Sequence, residues 1–92
     1  MHGGRYTVTL KNPGKTPIVF HINGRLQIAL LGGKQQTYTG TGTATILFST
    51  GSQGGEREYK LNSGWSYVFR WKHHGELGWE PAGYSLDLYK DN

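Results

Sequence analysis

Apolar and polar residues alternate with a period of two along most of this chain. The alternation appears in eight short runs, each with one apolar face and one mainly polar face. This pattern is typical of strands whose sheet meets a core on one side only. The runs cover residues 6–10, 18–22, 26–30, 36–38, 44–48, 59–61, 67–71 and 84–88. The sequence therefore predicts eight strands, and the weakest alternation is at 36–38.

Turn-forming residues separate these runs at intervals of about 8–12 residues, as in sandwiches and small barrels. The hairpin signal is clearest at Asn23-Gly24. A three-residue loop with Gly24 in the left-handed region places Phe20 opposite Leu26 and keeps apolar side chains on one face. We expect one all-β domain over 1–92, a small antiparallel β-sandwich of seven to eight strands with an immunoglobulin-like layout. A small β-barrel is the alternative.

The length of 92 residues and the lack of cysteine limit the chemistry that the chain can perform. A domain of this size builds one thin core, which leaves no room for a deep, enclosed catalytic cavity. Without cysteine, neither a disulfide framework nor a thiolate metal site can form. No run of about 18 apolar residues is present, so we expect no membrane insertion.

The formal net charge of +4 raises the question of nucleic-acid binding. The lysines and arginines are scattered along the chain with no run of three, which is typical of a solvated surface. We therefore do not expect nucleic acid as the main partner. The alternative function that stays open is a small basic β-barrel that binds single-stranded nucleic acid through its aromatic surface.

Motifs for catalysis and cofactor binding fail on inspection. Gly32-Gly33-Lys34 lacks both the upstream glycine and the following Ser or Thr of a phosphate-binding loop. No Gly-x-Ser-x-Gly elbow occurs, and no histidine stands in a recognisable catalytic setting. The sequence predicts a protein that is not an enzyme and that carries no cofactor.

One short cluster, His73-His74-Gly75-Glu76, has side chains that bind metals. Neighbouring histidines in a strand point to opposite faces, so both bind one ion only from a bent loop. Zinc also needs at least a third protein ligand. We interpret the cluster as a polar loop and predict no metal site.

Aromatic residues are frequent, with three Trp, six Tyr and three Phe. Phe20, Phe48, Phe69 and Trp71 keep the parity of core positions, and we expect them to be buried, as we do Ile46 in the run 44–48. Trp79 instead lies in the longest irregular stretch, 73–83, where it either caps the core or stands exposed for stacking. We predict that this stretch binds a protein or glycan partner, with Trp79 as the main contact. The residues expected around it are His73, His74 and Glu76.

The order of short motifs carries a resemblance over nearly the whole chain. The residues concerned are Val8, Leu10 and Asn12, the turn Asn23-Gly24, Ile46, Phe48 and Gly51, then Tyr59, Leu61, Gly64, Tyr67 and Phe69. In this succession the chain resembles small all-β domains of bacterial exported or surface proteins, which are mostly uncharacterised. The resemblance implies a sandwich and an exported or cell-surface location rather than a cytoplasmic one, but it implies no specific activity. The function that we predict is a non-catalytic binding or structural interaction module.

Overall fold

The computed structural model describes residues 4–24, 27–50, 55–73, 76–78 and 85–91, and for 72, 73 and 76–78 it describes the backbone alone. Within those residues it contains nine strands and no helix. The strands are β1 (Arg5–Asn12), β2 (Ile18–Ile22), β3 (Gln27–Leu30), β4 (Lys34–Thr41), β5 (Ala44–Ser49), β6 (Glu56–Leu61), β7 (Ser66–His73), β8 (Glu76–Gly78) and β9 (Ser85–Lys90). The all-β prediction is confirmed. Eight of the strands match the eight predicted runs, and the three-residue β8 is additional.

The strands form two sheets that pack face to face, as predicted for a sandwich. The first sheet contains β4, β1, β7, β8 and β9, and the second has the order β3-β2-β5-β6. All pairs are antiparallel except β1 with β7. Among the described strands, no strand of one sheet pairs with a strand of the other, so the sheets do not close and the barrel alternative is wrong.

The two-layer layout comes with a particular strand order, in which β1 and β2 lie in different sheets. In immunoglobulin domains the first two strands are neighbours in one sheet. The crossover between the sheets is held here by Asn12, which is 1% exposed. Its side-chain Nδ2 donates to the carbonyl oxygens of Thr16 and Leu30, each at 2.9 Å. This buried amide joins the end of β1, the crossover and β3, a role that the alternation pattern does not reveal.

Strand β7 organises the first sheet because both of its edges are paired. One edge pairs with β9 between Tyr67 and Lys72. The other edge pairs with β1 at Ser66–Val68 and with β8 at Trp71–His73. Strand β8 therefore takes the place of β1 at the point where β1 crosses to the second sheet.

Aromatic side chains from both sheets meet in the middle of the sandwich. Phe69 of β7 lies 5.7 Å from Phe20 of β2 and 5.4 Å from Phe48 of β5, between ring centroids. These three rings, Ile46 and Trp71 are all buried, which confirms their predicted core positions. Burial of one such side chain stabilises the fold by roughly 1.5–3 kcal/mol.

The hairpin between β2 and β3 differs in register from its prediction. Gly24 does take a positive φ of 66°, as expected, but Phe20 lies opposite Ile28 rather than Leu26. A shift of two residues keeps every side chain on its own face, so burial does not distinguish the two registers. Asn23 has a left-handed conformation as well (φ 55°), and it exchanges two hydrogen bonds with Thr45 of β5. Attachment of the turn to β5 accounts for the observed register.

Candidate interaction surface

The residues predicted to bind a partner lie at the end of β7 and beyond it. His73 ends β7 and pairs in register with Glu76, which begins β8, while the side chains of both lie outside the described residues. His74 and Trp79 lie outside the described residues altogether. The expectation of one irregular stretch over 73–83 is wrong in part, because 76–78 forms a strand. Only two residues, one of them a glycine, separate the His73–Glu76 pair, which is the spacing of a tight hairpin. The binding role of Trp79, His73, His74 and Glu76 stays a prediction.

Charged side chains link the two sheets along one side of the sandwich, where β6 and β9 are the edge strands. The Tyr59 hydroxyl on β6 donates to Asp87 Oδ1 on β9 at 2.6 Å. Arg57 Nε lies 3.8 Å from the other carboxylate oxygen of Asp87. Burial, followed by the hydrogen bond and the negative charge of Asp87, raises the pKa of Tyr59. We call these three residues the Asp87 cluster. It joins β6 to β9 and gives both edges a charged border.

Strand β4 is the edge of the first sheet on the opposite side of the sandwich, and it carries a very different sequence. Its eight residues read KQQTYTGT, and Lys34 at the first position is the one charged residue in it. Among the described strands β4 pairs with β1 alone, over its full length. Natural edge strands are usually short, charged, bulged or interrupted by proline. None of these features protects residues 35–41.

The backbone groups of β4 that point to the open edge follow from the pairing of β1. Thr7 and Thr9 direct their backbone groups away from β4, since the Thr7 carbonyl accepts from Gly64 N–H and Thr9 N–H donates to the Trp65 carbonyl. In an antiparallel pair the residue opposite such a position also points away from its partner strand. Thr39 lies opposite Thr7, and Thr37 lies opposite Thr9. Thr37 and Thr39 therefore present their N–H and C=O groups at the edge.

Alternation along the strand extends this arrangement to Gln35 and Thr41. Gly42 N–H donates to the Gly4 carbonyl at 2.8 Å, so Gly4 and Gly42 form a hydrogen-bonded pair. Thr41, the next residue along β4, therefore directs its backbone groups to the open edge. The four residues Gln35, Thr37, Thr39 and Thr41 thus form a row with eight backbone groups at the edge. We call this row the β4 edge.

The side chains of the β4 edge lie on the outer face of the first sheet. Thr37 and Thr39 are exposed there beside Thr9 and Thr7, their partners in β1. The Thr37 and Thr9 hydroxyls are hydrogen-bonded at 2.9 Å. β-Branched side chains of this kind favour the extended backbone. These threonines therefore help to keep β4 in a regular extended conformation.

The inner face of β4 packs on the core. Tyr38 is half-buried, and its ring meets Phe20 edge to face at 5.7 Å between centroids. Burial raises the pKa of the Tyr38 hydroxyl. Gly40 is required where it stands, because an added Cβ would lie 2.5 Å from the Tyr6 hydroxyl oxygen. These contacts hold β4 in place without covering its edge.

A shallow depression of about 170 Å³ adjoins the first residues of β4. It is lined by Lys11, Asn12, Pro13, Gly33, Lys34 and Gln35. Lys11 on its border is paired with Asp91, with Nζ 2.7 Å from Oδ2. Gln35 is the residue of the β4 edge that lines it.

Comparison with protein-family models, with curated proteins and with solved structures finds no match to this chain. In the part of the chain that the structure describes, no helix has the length and apolar character to cross a membrane. Function is therefore inferred from the surface itself.

Sequence reasoning missed the β4 edge. The alternation is weakest over 36–38 because both faces of an edge strand are partly exposed. The pattern therefore predicted a weak, short strand where the structure has a long one. The available signal was a run of seven residues, 35–41, with no charge and no proline between two glycine turns. Such a run is a warning of an unprotected edge.

Proposed function

We propose that this chain is a non-catalytic interaction module that binds an extended segment of protein as an added strand beside β4. The observation that supports this most is the row of eight backbone N–H and C=O groups at the β4 edge. Their spacing along a regular strand is that of another polypeptide in β conformation. In strand addition the main-chain hydrogen bonds give affinity, and contacts of alternate side chains give specificity.

A protein partner fits this surface better than a glycan. Sugars are usually held by an exposed aromatic face with hydrogen-bonding groups around it. Among the described aromatic residues, Trp65 is half-buried, and Lys90 Nζ lies 3.8 Å from its ring centroid. Tyr38 uses its ring to pack on Phe20. The prediction for Trp79 concerns the separate segment between β8 and β9 and is independent of the β4 edge.

Substitution of Thr39 by proline tests the proposal, because proline removes an edge-facing N–H and leaves the β1 ladder intact. Thr39→Val is the matched control, since it keeps the N–H and the branched shape. Peptides would be selected from a randomised display library on the immobilised full chain. We expect extended peptides rich in β-branched and aromatic residues that bind Thr39→Val as well as the parent. Binding to Thr39→Pro should be weaker by about tenfold.

Two results would overturn the proposal. One is a selection that enriches no peptide sensitive to Thr39→Pro. The other is a set of binders that recognise Thr39→Pro as tightly as the parent. Melting temperatures of both variants, measured beforehand, establish that the immobilised proteins are folded.

A further inference from the structure

The β4 edge has the properties of a surface that pairs with itself. Two copies of a strand related by a twofold axis lie antiparallel, and each residue faces a partner residue on the same side of the sheet. Residues on the outer face must therefore oppose outer-face residues. In an allowed register, therefore, each odd-numbered residue of β4 lies opposite an odd-numbered residue of the second copy, and each even-numbered residue lies opposite an even-numbered one.

One of these registers satisfies the whole edge. With Tyr38 next to the twofold axis, Gln35 lies opposite Thr41 of the second copy, and Thr37 lies opposite Thr39. All four residues then form hydrogen-bonded pairs, and each copy uses its eight edge groups. A shift of two residues toward Lys34, with Thr37 at the axis, leaves Thr41 without a partner in the ladder. The register centred on Tyr38 is thus the one with complete pairing.

Charge and burial also favour a second copy of this chain as the partner of the β4 edge. In this register Lys34 lies beyond the last ladder pair, so no two charged residues of the strands oppose each other. Arg5 of one copy and Lys11 of the other lie in line across the interface, separated by three inter-strand spacings, or about 14 Å. This distance exceeds the screening length at physiological salt, so their repulsion is weak. The two Tyr38 side chains, each half-buried, become neighbours on the inner face and extend the aromatic core across the axis.

The other edges of the sandwich lack this self-complementarity. Self-pairing of β6 brings together strands with two glutamates, an arginine and a lysine among six residues. Strand β9 carries Asp87 and Lys90, and β3 has only four residues. Charged and short edges discourage pairing. Within the described strands, β4 combines length, regularity and absence of charge along its ladder.

We infer that two copies of this chain associate through antiparallel pairing of their β4 strands, with Thr37 of one copy opposite Thr39 of the other. The inference rests on the proposed function, because it names the segment that β4 accepts. The contact is one strand edge wide, which makes the dimer weak and dependent on concentration. Its two four-stranded halves, each β4-β1-β7-β9, would join into one continuous sheet.

Sedimentation velocity of the full chain over a concentration series tests the inference. We expect a reversible shift from monomer to dimer. Each dimer uses the Thr39 N–H twice, so Thr39→Pro should raise the dissociation constant by about ten- to a hundredfold, while Thr39→Val should leave it nearly unchanged. A chain that stays monomeric at every concentration, or a dimer indifferent to Thr39→Pro, would overturn the inference.

The register is tested by charges placed at the opposed positions. A Thr37→Lys/Thr39→Glu variant brings opposite charges together across the axis and should dimerise a few-fold more tightly than the parent. Thr37→Lys/Thr39→Lys brings like charges together and should dimerise less tightly. The reverse order of these two variants would exclude the register centred on Tyr38. These variants keep every backbone donor, so they remain informative if Thr39→Pro does not fold.

The two failures are distinguishable. A monomeric parent that still yields display peptides sensitive to Thr39→Pro would refute self-pairing and leave strand addition as the function. A dimer sensitive to Thr39→Pro, with no display peptides, would locate the function in self-association alone.

Discussion

The two sides of this sandwich end their sheets in opposite ways. On one side, the Asp87 cluster links β6 to β9 by a hydrogen bond of 2.6 Å and an ion pair, and both edges carry charged residues. On the other side, β4 ends the first sheet with a long, regular row of backbone groups and no charge after Lys34. Under the proposed function, this difference directs an added strand to β4 and away from β6 and β9. A charged edge penalises an added strand, whereas the β4 edge offers it hydrogen bonds.

The largest expected effect is the loss of a core side chain, which should destabilise both sides of the sandwich because they share one core. Phe69 contacts Phe20 and Phe48 across the sandwich. Phe69→Ala should lower the free energy of unfolding by roughly 3–5 kcal/mol. Urea denaturation monitored by circular dichroism measures this loss. A variant that melts within a few degrees of the parent would show that the two sides do not depend on this common core.

A pair of proline substitutions compares a paired strand with an open edge. Thr9→Pro removes an N–H that donates to the Trp65 carbonyl, and the orphaned carbonyl costs roughly 1–3 kcal/mol. Thr39→Pro removes an N–H that faces the open edge and should change stability by less than about 0.5 kcal/mol. Both sites are threonines on the same outer face, but Thr9→Pro also removes the hydroxyl that bonds to Thr37, so Thr9→Val serves as the control for side-chain loss. Equal destabilisation in denaturant titrations of the dilute proteins would mean that the β4 edge is already paired.

A pair of tyrosine substitutions compares the linked side with the open side. Tyr59→Phe removes the hydrogen bond to Asp87 and should cost about 1.5 kcal/mol, the low end for a charged acceptor, because the site is partly exposed. Tyr38→Phe should cost less, since burial, and no hydrogen bond to a described residue, acts on the Tyr38 hydroxyl. Unfolding free energies of the dilute variants give the comparison. A larger loss for Tyr38→Phe would reverse the assignment of the linked side.

The smallest effect concerns alkaline pH. The pKa of Tyr59 is raised by burial and by Asp87, so the fold favours the neutral hydroxyl. Its stabilising contribution is complete below the ordinary tyrosine pKa of 10.0 and is lost as pH rises through the higher folded value. The Tyr59→Phe variant should therefore lose less stability than the parent between neutral and strongly alkaline pH. Parallel curves of unfolding free energy for the two proteins would refute this.

The two-sheet architecture was predictable because alternation of apolar and polar residues indicates strands that are buried on one face. Phe20, Ile46, Phe48 and Phe69 stood at core parity in the sequence, and all four are buried. The register at Asn23-Gly24 was not predictable, because a shift of two residues leaves the alternation unchanged. Residues 76–78 were missed as a strand because three residues are too few to show alternation.

The β4 edge was hidden in the sequence for a related reason. Alternation weakens where both faces of a strand are partly exposed, so the strand to which we assign binding gave the weakest signal. Its phase relative to β1 depends on the contacts of Thr7 and Thr9 with residues 63–65, more than fifty positions away. Such pairing is a property of the fold and is not encoded in any local run of residues.

Amide hydrogen exchange along β4, followed by NMR, tests the central claim most directly. In dilute protein, the amides of Tyr38 and Gly40 should be protected by β1, while those of Thr37 and Thr39 should exchange rapidly. At higher concentration the Thr37 and Thr39 amides should gain protection as the edge pairs. Equal protection of all four amides in the dilute protein would contradict the account, because it would show that the β4 edge is not open.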